Sequence, residues 1–350
     1  VTKPLRIGLI GCGAMGRKHL ELWASVPDAR VTAVCDADAA RAAAVAEEFS
    51  AVPFHDVAAL ASSGLVDAVD ICTPSGLHAA QGMVAAKHGL HLLVEKPLDL
   101  VLHRARDLVR ECKERRLTLA CIFQRRTLPG AQAVARAVRQ GALGRILSCS
   151  AYVKWWRSQE YYGANGWRGT RAMDGGVLAN QAIHALDHLC WLAGRVADVE
   201  YARLDTLCHR IEAEDNAVAV LRFESGARGV IEATTCCSPD LCTRVEVFGT
   251  RGAVAFEDAK VVAFGYDGQD HLHEIGPQEA SLGGRSDPMA IGLEGHRILL
   301  EDFVQAIRTG RSPMVSGEDA IVSVEALNKI YERAGIAPFA GEIPSAPVHD

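Results

Sequence analysis

The segment Ile7-Gly8-Leu9-Ile10-Gly11-Cys12-Gly13-Ala14-Met15-Gly16 constrains this chain more than any other stretch. A strand-like apolar run ends in Gly-x-Gly-x-x-Gly, and the residues that follow have helical spacing. In such a strand, turn and helix, Gly11 supplies the tight turn and Gly13 leaves bare backbone for a pyrophosphate. Gly16 lets helix and strand pack closely, and Ala14 and Met15 open a helix whose first N–H groups favour phosphate charge. The strand-to-helix context turns a weak motif into a dinucleotide-binding one. The next apolar run, 31–35, ends at Asp36, about 20 residues past the last glycine, where a carboxylate accepts from ribose hydroxyls and repels a 2′-phosphate. Ala37 follows with no adjacent Lys or Arg, so NAD is expected and NADP disfavoured. Arg41, one helical turn further on, is the residue that argues the other way.

The surroundings suit a Rossmann domain. Apolar runs at 5–10, 31–35, 69–72, 92–94 and 117–123 alternate with amphipathic segments, which calls for βαβ units and a parallel sheet covered on both faces. After Gly144 the pattern changes. Strand-like runs at 146–153, 218–223, 229–235, 244–249 and 253–257 are joined by Gly-containing turns such as Ser225-Gly226 and Thr250-Arg251-Gly252. These predict a large, mostly antiparallel open sheet. A single helix over 177–192 interrupts it, two more at 293–307 and 318–334 close it, and the Pro-rich tail 337–350 is expected to pack irregularly or fray. A chain of 350 residues exceeds one ordinary core. The expected class is α/β: a Rossmann domain over 1–124, then an α+β substrate-binding and oligomerisation domain over 125–350 whose closing helices can pack back onto the first.

Composition narrows the partners. The formal net charge of −6 repels nucleic acid and anionic membranes, so neither is expected as a partner. The basic run from Lys113 to Arg116 falls at the end of a predicted helix, where cations suit the dipole. Eleven cysteines sit mostly inside apolar runs, as at Cys35, Cys72, Cys121 and Cys149, with no CxxC pair. That reads as reduced, buried thiols. Cys236, Cys237 and Cys242 lack the paired spacing and partner histidines of a zinc site. No apolar stretch reaches the roughly 20 residues that span a bilayer, and the N-terminal residues lack a signal-peptide pattern. The expected location is the cytoplasm.

Further along, Thr73-Pro74-Ser75-Gly76-Leu77-His78 follows one strand-like run and Glu95-Lys96-Pro97 follows the next. Gln124-Arg125-Arg126, Trp167-Arg168-Gly169-Thr170 and the stretch from Asp174 through Asn180-Gln181-Ala182-Ile183-His184 to Asp187 come after them. In this order, and over nearly its whole length, the chain resembles the glucose-fructose oxidoreductase, inositol dehydrogenase and rhizopine-catabolism family, usually written Gfo/Idh/MocA. The resemblance implies an NAD-dependent dehydrogenase acting on a CH–OH group of a sugar, glycoside, sugar derivative or cyclitol. It adds Thr73, Pro74, His78, Glu95 and Lys96 to the cofactor residues, and a cis bond before Pro97 that turns Lys96 toward the nicotinamide. The family often carries Asp where this chain has Asn180. The branch with Asn-Gln before Ile-His acts on sugars or their derivatives, including 3-position oxidation of glycosides and nucleotide-sugars.

The chemistry of these residues fits that implication. An ammonium at Lys96, just past a strand end where open α/β sheets bind ligands, can steady an alkoxide as a hydroxyl loses its proton. Asn180 and His184 stand four apart on one predicted helix and so share a face. Imidazole suits reversible proton transfer near neutrality, so His184 is expected as the general base and Lys96 as the second catalytic residue. The amide of Asn180 takes no proton and is cast as the hydrogen-bond partner of a substrate hydroxyl, with Gln181 beside it. Between Tyr152 and Arg168 aromatic and basic residues are dense. Aromatic faces stack on pyranose rings and guanidinium forks bind hydroxyls or attached anions. Trp156, Trp167 and Arg168 therefore join Arg126 as substrate candidates. His184, Asp187 and His188 also have helical spacing for a metal, but the pattern is not His-Glu-x-x-His and hydride transfer needs none, so no metal is expected. Two other functions share these residues. One uses tightly bound NAD transiently, for isomerisation, epimerisation or glycoside cleavage without net redox. The other is a non-catalytic NAD- or sugar-binding regulator, against which Lys96 and His184 speak. An open face on the second sheet predicts a homodimer or homotetramer.

Overall fold

The structure is a computed structural model that describes residues 3–258, 260–276, 278 and 292–336. The tail at 337–350 lies outside them. Two compact units are present. The described part of the first takes in residues 3–122 and 293–321, and that of the second takes in the described residues of 123–292 with 322–336.

In the first unit strands and helices alternate as β1 (Leu5–Ile10), α1 (Ala14–Trp23), β2 (Ala29–Cys35), α2 (Ala39–Phe49), β3 (Val52–Phe54), α3 (Val57–Ser62), β4 (Ala68–Ile71), α4 (His78–Lys87), β5 (His91–Val94), α5 (Leu102–Glu114) and β6 (Leu119–Cys121). All pairings are parallel, in the order β3-β2-β1-β4-β5-β6. The order reverses between β1 and β4, and their carboxyl ends flank the point where open α/β sheets take ligands. β3 escaped the apolar pattern because it is a three-residue edge strand with Pro53 at its centre. Proline lacks an N–H and is tolerated in a sheet at such an edge. Side chains alternate across β1. Leu9 joins Cys12, Leu20, Val34, Val45 and Ala46 in one buried cluster, while Gly8 faces Leu60 of α3 and Val66 on the other side. β4 is buried throughout and β5 nearly so, as a parallel sheet covered on both faces requires. A later helix, Glu294–Thr309, packs against α1 and β5 within the same unit.

The second unit continues the numbering with α6 (Pro129–Arg139), β7 (Ile146–Lys154), α7 (Gln159–Gly163), α8 (Gly176–Asn180), α9 (Ile183–Ala193), β8 (Val196–Asp205), β9 (Asn216–Phe223), β10 (Arg228–Thr234), β11 (Arg244–Gly249), β12 (Gly252–Glu257), β13 (Lys260–Tyr266) and β14 (Gln269–Asp270). The helix at Glu294–Thr309 is then α10, and α11 is Gly317–Arg333. The strands form one eight-stranded sheet in the order β14-β13-β12-β11-β7-β10-β9-β8, antiparallel except where β7 and β10 run parallel. α9 packs on β7 and β11, and α8 on β9 and β10. β8 was not foreseen because Asp198, Glu200 and Arg203 break its apolar alternation, a composition suited to the edge strand it is.

The single helix expected over 177–192 is two. The Val177 carbonyl accepts from both Gln181 N at 3.1 Å and Ala182 N at 2.8 Å, and a new helix starts from the Ala182 carbonyl. Asn180 and His184 therefore do not share one unbroken helical face.

Candidate active site

The glycine turn after β1 is built as its spacing requires. Gly11 has φ +97°, and a Cβ there would stand 2.8 Å from the Cys72 backbone at the end of β4. A Cβ on Gly16 would stand 1.9 Å from the Gly11 carbonyl oxygen, so α1 is seated directly on the turn. Gly13 differs: a Cβ there would meet nothing within 4 Å, and the N-terminus of α1 has no side-chain cap. Bare backbone, open space and uncapped N–H groups make a cradle that fits a pyrophosphate. Ala14 and Met15 form the first turn of α1 above it. At the end of β2, Asp36 accepts from Cys12 N at 2.8 Å and Asp38 N at 2.9 Å, tying the glycine turn to β2. Arg41 forks onto the same carboxylate, with Nε at 3.0 Å and Nη2 at 2.8 Å. Burial would raise the Asp36 pKa, but Arg41 and the two backbone donors outweigh it and hold it below the ordinary value. Arg41 is thus engaged by the carboxylate whose NAD preference it was set against.

At the ends of β4 and β5, Thr73 Oγ1 bonds Gln81 Oε1 at 2.6 Å, and Pro74 leads into a short 3₁₀ turn. His78 is buried and joins both loops, with its ring nitrogens 2.7 Å from the Pro97 carbonyl oxygen and 2.8 Å from that of Thr73. Lys96 is half-buried and its peptide bond to Pro97 is cis. The Glu95 side chain, expected among the cofactor contacts, turns into the core instead. Its carboxylate accepts from Lys96 N at 3.0 Å.

In the second unit His184, near the start of α9, is buried and meets Phe123 edge-to-face at 6.0 Å. Gln181 is also buried, in the turn between α8 and α9. Asn180 donates Nδ2 to Asp174 Oδ1 at 2.5 Å, and the other oxygen of Asp174 accepts from Gly169 N at 2.8 Å. One buried carboxylate therefore holds both the Asn180 amide and the Trp167-Arg168-Gly169 loop. The Arg168 guanidinium lies 4.3 Å from the Tyr161 ring centre and 5.4 Å from that of Trp167. Tyr161 continues through Tyr162 and His209 to the exposed Trp156, ring by ring at 5.1, 4.8 and 6.1 Å. Arg126 corrects the expectation of a substrate contact. Its guanidinium is buried and committed to Asp187 through two bonds of 2.8 and 2.6 Å. His188 is packed between Trp191 and Phe256, and burial pushes it down to about 3.

Comparison with known proteins agrees with this geometry. Residues 5–123 match the model of an oxidoreductase family with an NAD-binding Rossmann fold, and residues 131–255 match the Gfo/Idh/MocA C-terminal domain. The WlbA dehydrogenase of Bordetella pertussis, solved with NADH and UDP-GlcNAcA, is 30% identical with a TM-score of 0.83, covering 95% of this chain and 97% of that one. The chain belongs to the Gfo/Idh/MocA family. Among named members, the D-apiose dehydrogenase of Paraburkholderia graminis is 28% identical, covering 94% of this chain and 88% of that protein. The inositol 2-dehydrogenase of Rhizobium meliloti is 26% identical, covering 91% and 94%. As a member of Gfo/Idh/MocA the chain is an NAD-dependent oxidoreductase.

Two buried carboxylates of the second unit were missed in the sequence. Asp215 accepts from Leu207 N, Cys208 N and His209 N at 2.7 to 2.9 Å and fixes the loop that carries His209. Glu214 accepts from Leu178 N at 3.1 Å and Tyr331 Oη at 2.9 Å, and a Cβ on Gly176 would stand 2.2 Å from it. Gly176 thus makes room for Glu214 at the start of α8. Only a Glu-Asp pair before a strand marked these residues, and the chain carries three others, at 257–258, 301–302 and 318–319.

The open cradle separates two glycines experimentally. Gly13→Val should leave the thermal midpoint unchanged while weakening NADH binding at least about tenfold, or about 1.4 kcal/mol. Gly16→Ala should lower the midpoint as well. A Gly13→Val protein that binds NADH as the parent does would remove the cradle. Burial raises the Glu214 pKa from the ordinary 4.5 to about 8. A folded-state pKa above the unfolded one adds stability in full below pH 4.5 and loses it as pH rises through 8. Glu214→Gln should therefore flatten the decline of the thermal midpoint between pH 5 and 9; an unaltered slope would count against a protonated Glu214.

Proposed function

We propose that this chain reversibly oxidises a secondary hydroxyl of a sugar, glycoside, sugar derivative or cyclitol. The observation that carries the proposal is the pair of proton-handling side chains an NAD-dependent alcohol dehydrogenase needs: Lys96 just past the β5 end and His184 near the start of α9. Bound NAD supplies a hydride acceptor. Gly11, Gly13, Ala14, Met15 and Gly16 hold its pyrophosphate, Asp36 its adenosine ribose, and the backbone of Thr73 and Pro74 lines the way to Lys96. His184 takes the hydroxyl proton and Lys96 offsets the developing alkoxide charge. Asn180, whose Nδ2 is held by Asp174, serves as the hydrogen-bond partner of a substrate hydroxyl. Trp167 and Arg168 offer a stacking face and a fork for a pyranose or an attached anion.

The relatives named for D-apiose, inositol and a nucleotide-sugar complex support this range of substrates. No disulfide joins any of the eleven cysteines, which suits a reducing cytoplasm. Among the described residues no helix is long and apolar enough to cross a membrane. Tyr201, Phe248 and Val262 stand exposed on strands of the eight-stranded sheet, which supports a homo-oligomer formed through that sheet.

A panel of polyols, inositols, glycosides and nucleotide-sugars with NAD, followed by absorbance of the reduced cofactor, should give turnover with at least one. On that substrate His184→Ala should lower kcat on the order of 10²–10⁴-fold with NAD affinity intact; full activity would end the assigned role. Light scattering of the purified chain should give a mass of two or four copies, and a monomer at micromolar concentration would refute the sheet interface.

A further inference from the structure

Next to Lys96 the first unit buries a row of ionisable side chains that the proposed reaction does not use. His19 on α1 and Asp70 on β4 are 0% exposed, Glu95 at the end of β5 is 6% and His296 on α10 is 1%. His19 sits between two carboxylates. Its Nδ1 is 2.9 Å from Asp70 Oδ2, and its Nε2 is 3.2 Å from Glu95 Oε1, off the ideal hydrogen-bond axis. Trp23 Nε1 donates to Asp70 at 2.7 Å, the Cys72 thiol stands 3.3 Å from His19 Nδ1, and His296 Nε2 stands 3.7 Å from Glu95 Oε1. The remaining oxygen of Glu95 accepts the backbone N–H of Lys96 at 3.0 Å.

Two carboxylates in a core are costly, and one imidazole serves both only when each ring nitrogen carries a proton. Burial works against that charge, but Asp70, with Cys72 beside it, outweighs burial and holds His19 well above its ordinary value. Burial likewise works against an ionised Glu95, and His19 above all, then His296 and Lys96, bring it down to about 2. Burial pushes His296 down to about 4, so it stays neutral near neutrality. Well-packed apolar residues fill such a volume at no loss of stability, often with a gain. The row ends on the N–H of the one residue in this unit whose ammonium is assigned to the reaction.

We propose that His19 is a positioning residue for Lys96: bridging Asp70 and Glu95, it fixes the carboxylate that caps Lys96 and thereby sets the place and charge of the Lys96 ammonium. This rests on the reading of Lys96 as the charge-stabilising group. The device is electrostatic as well as steric, because an ionised Glu95 one residue away favours the charged ammonium.

Two measurements test it. Reductive methylation with ¹³C-formaldehyde labels the lysines, and loss of a signal in Lys96→Arg assigns Lys96 without any substrate. In Glu95→Gln, which removes the neighbouring negative charge and keeps the shape, the Lys96 titration midpoint should fall; in His19→Gln the Lys96 signal should shift. Lys96 signals and midpoints unchanged in both variants overturn the proposal. On a substrate turned over in the panel above, His19→Gln should lower kcat on the order of 10- to 100-fold with NAD affinity intact. The same substitution should cost nothing further in single turnovers of Lys96→Ala. Equal losses in both backgrounds would make His19 a general structural residue and refute its action through Lys96. Wild-type turnover by Lys96→Ala would overturn the reading of Lys96 itself, and the positioning role with it. If His19→Gln does not fold, Asp70→Asn carries the same comparison.

Discussion

The Gly11 carbonyl oxygen lies where any side chain on Gly16 would have to begin, 1.9 Å from an added Cβ, and much of the first unit follows from that lack of room. α1 can sit on the turn only if Gly16 carries no side chain. That seating brings Leu20 against Leu9 and Val34, puts His19 over Asp70, and leaves the first N–H groups of α1 beside the open side of Gly13. The same close approach runs sideways, because Gly11 also abuts the end of β4. Two strand ends and a helix start are thus locked at the point where the strand order reverses. A methyl group at either glycine would have to separate elements whose contact defines both the core and the cradle.

A second regularity is the internal use of charge. Arg126 with Asp187, Asp36 with Arg41, and His19 with Asp70 and Glu95 each satisfy strong groups within their own unit. Asp174 and Asp215 do the same with amides and backbone donors. Three of these buried carboxylates fix loops in particular: Asp36 the glycine turn, Glu95 the Lys96 backbone, Asp174 the Trp167–Gly169 loop and the Asn180 amide. Loops carry the chemistry in such folds, and a buried acceptor holding two or three N–H groups keeps a loop in place where no regular ladder reaches.

Much of the fold was legible because it follows from short-range rules. Apolar runs with turns between them announced the parallel sheet, and the Gly-x-Gly-x-x-Gly spacing announced its first turn. What escaped was local contradiction. Pro53 hid an edge strand, the charges of β8 hid another, and a carbonyl taking two N–H groups broke one apparent helix at Gln181 and Ala182. Lys96, Asn180 and His184, the residues proposed for the chemistry, drew attention because they stand in patterns that chemistry makes recognisable.

Whether a given polar side chain faces a ligand or the core was not legible. Arg126, read as a substrate contact, is consumed by Asp187 61 residues away, and Glu95, read as a cofactor contact, belongs to His19. Glu214 and Asp215, which nothing in the sequence singled out, are core acceptors. By itself the sequence determined that this chain builds a dinucleotide fold, because glycine spacing and apolar period act within a few residues. Only the tertiary structure decided which charges are spent inside, because the partner that satisfies a buried charge comes from a distant segment and leaves no mark on the residues beside it.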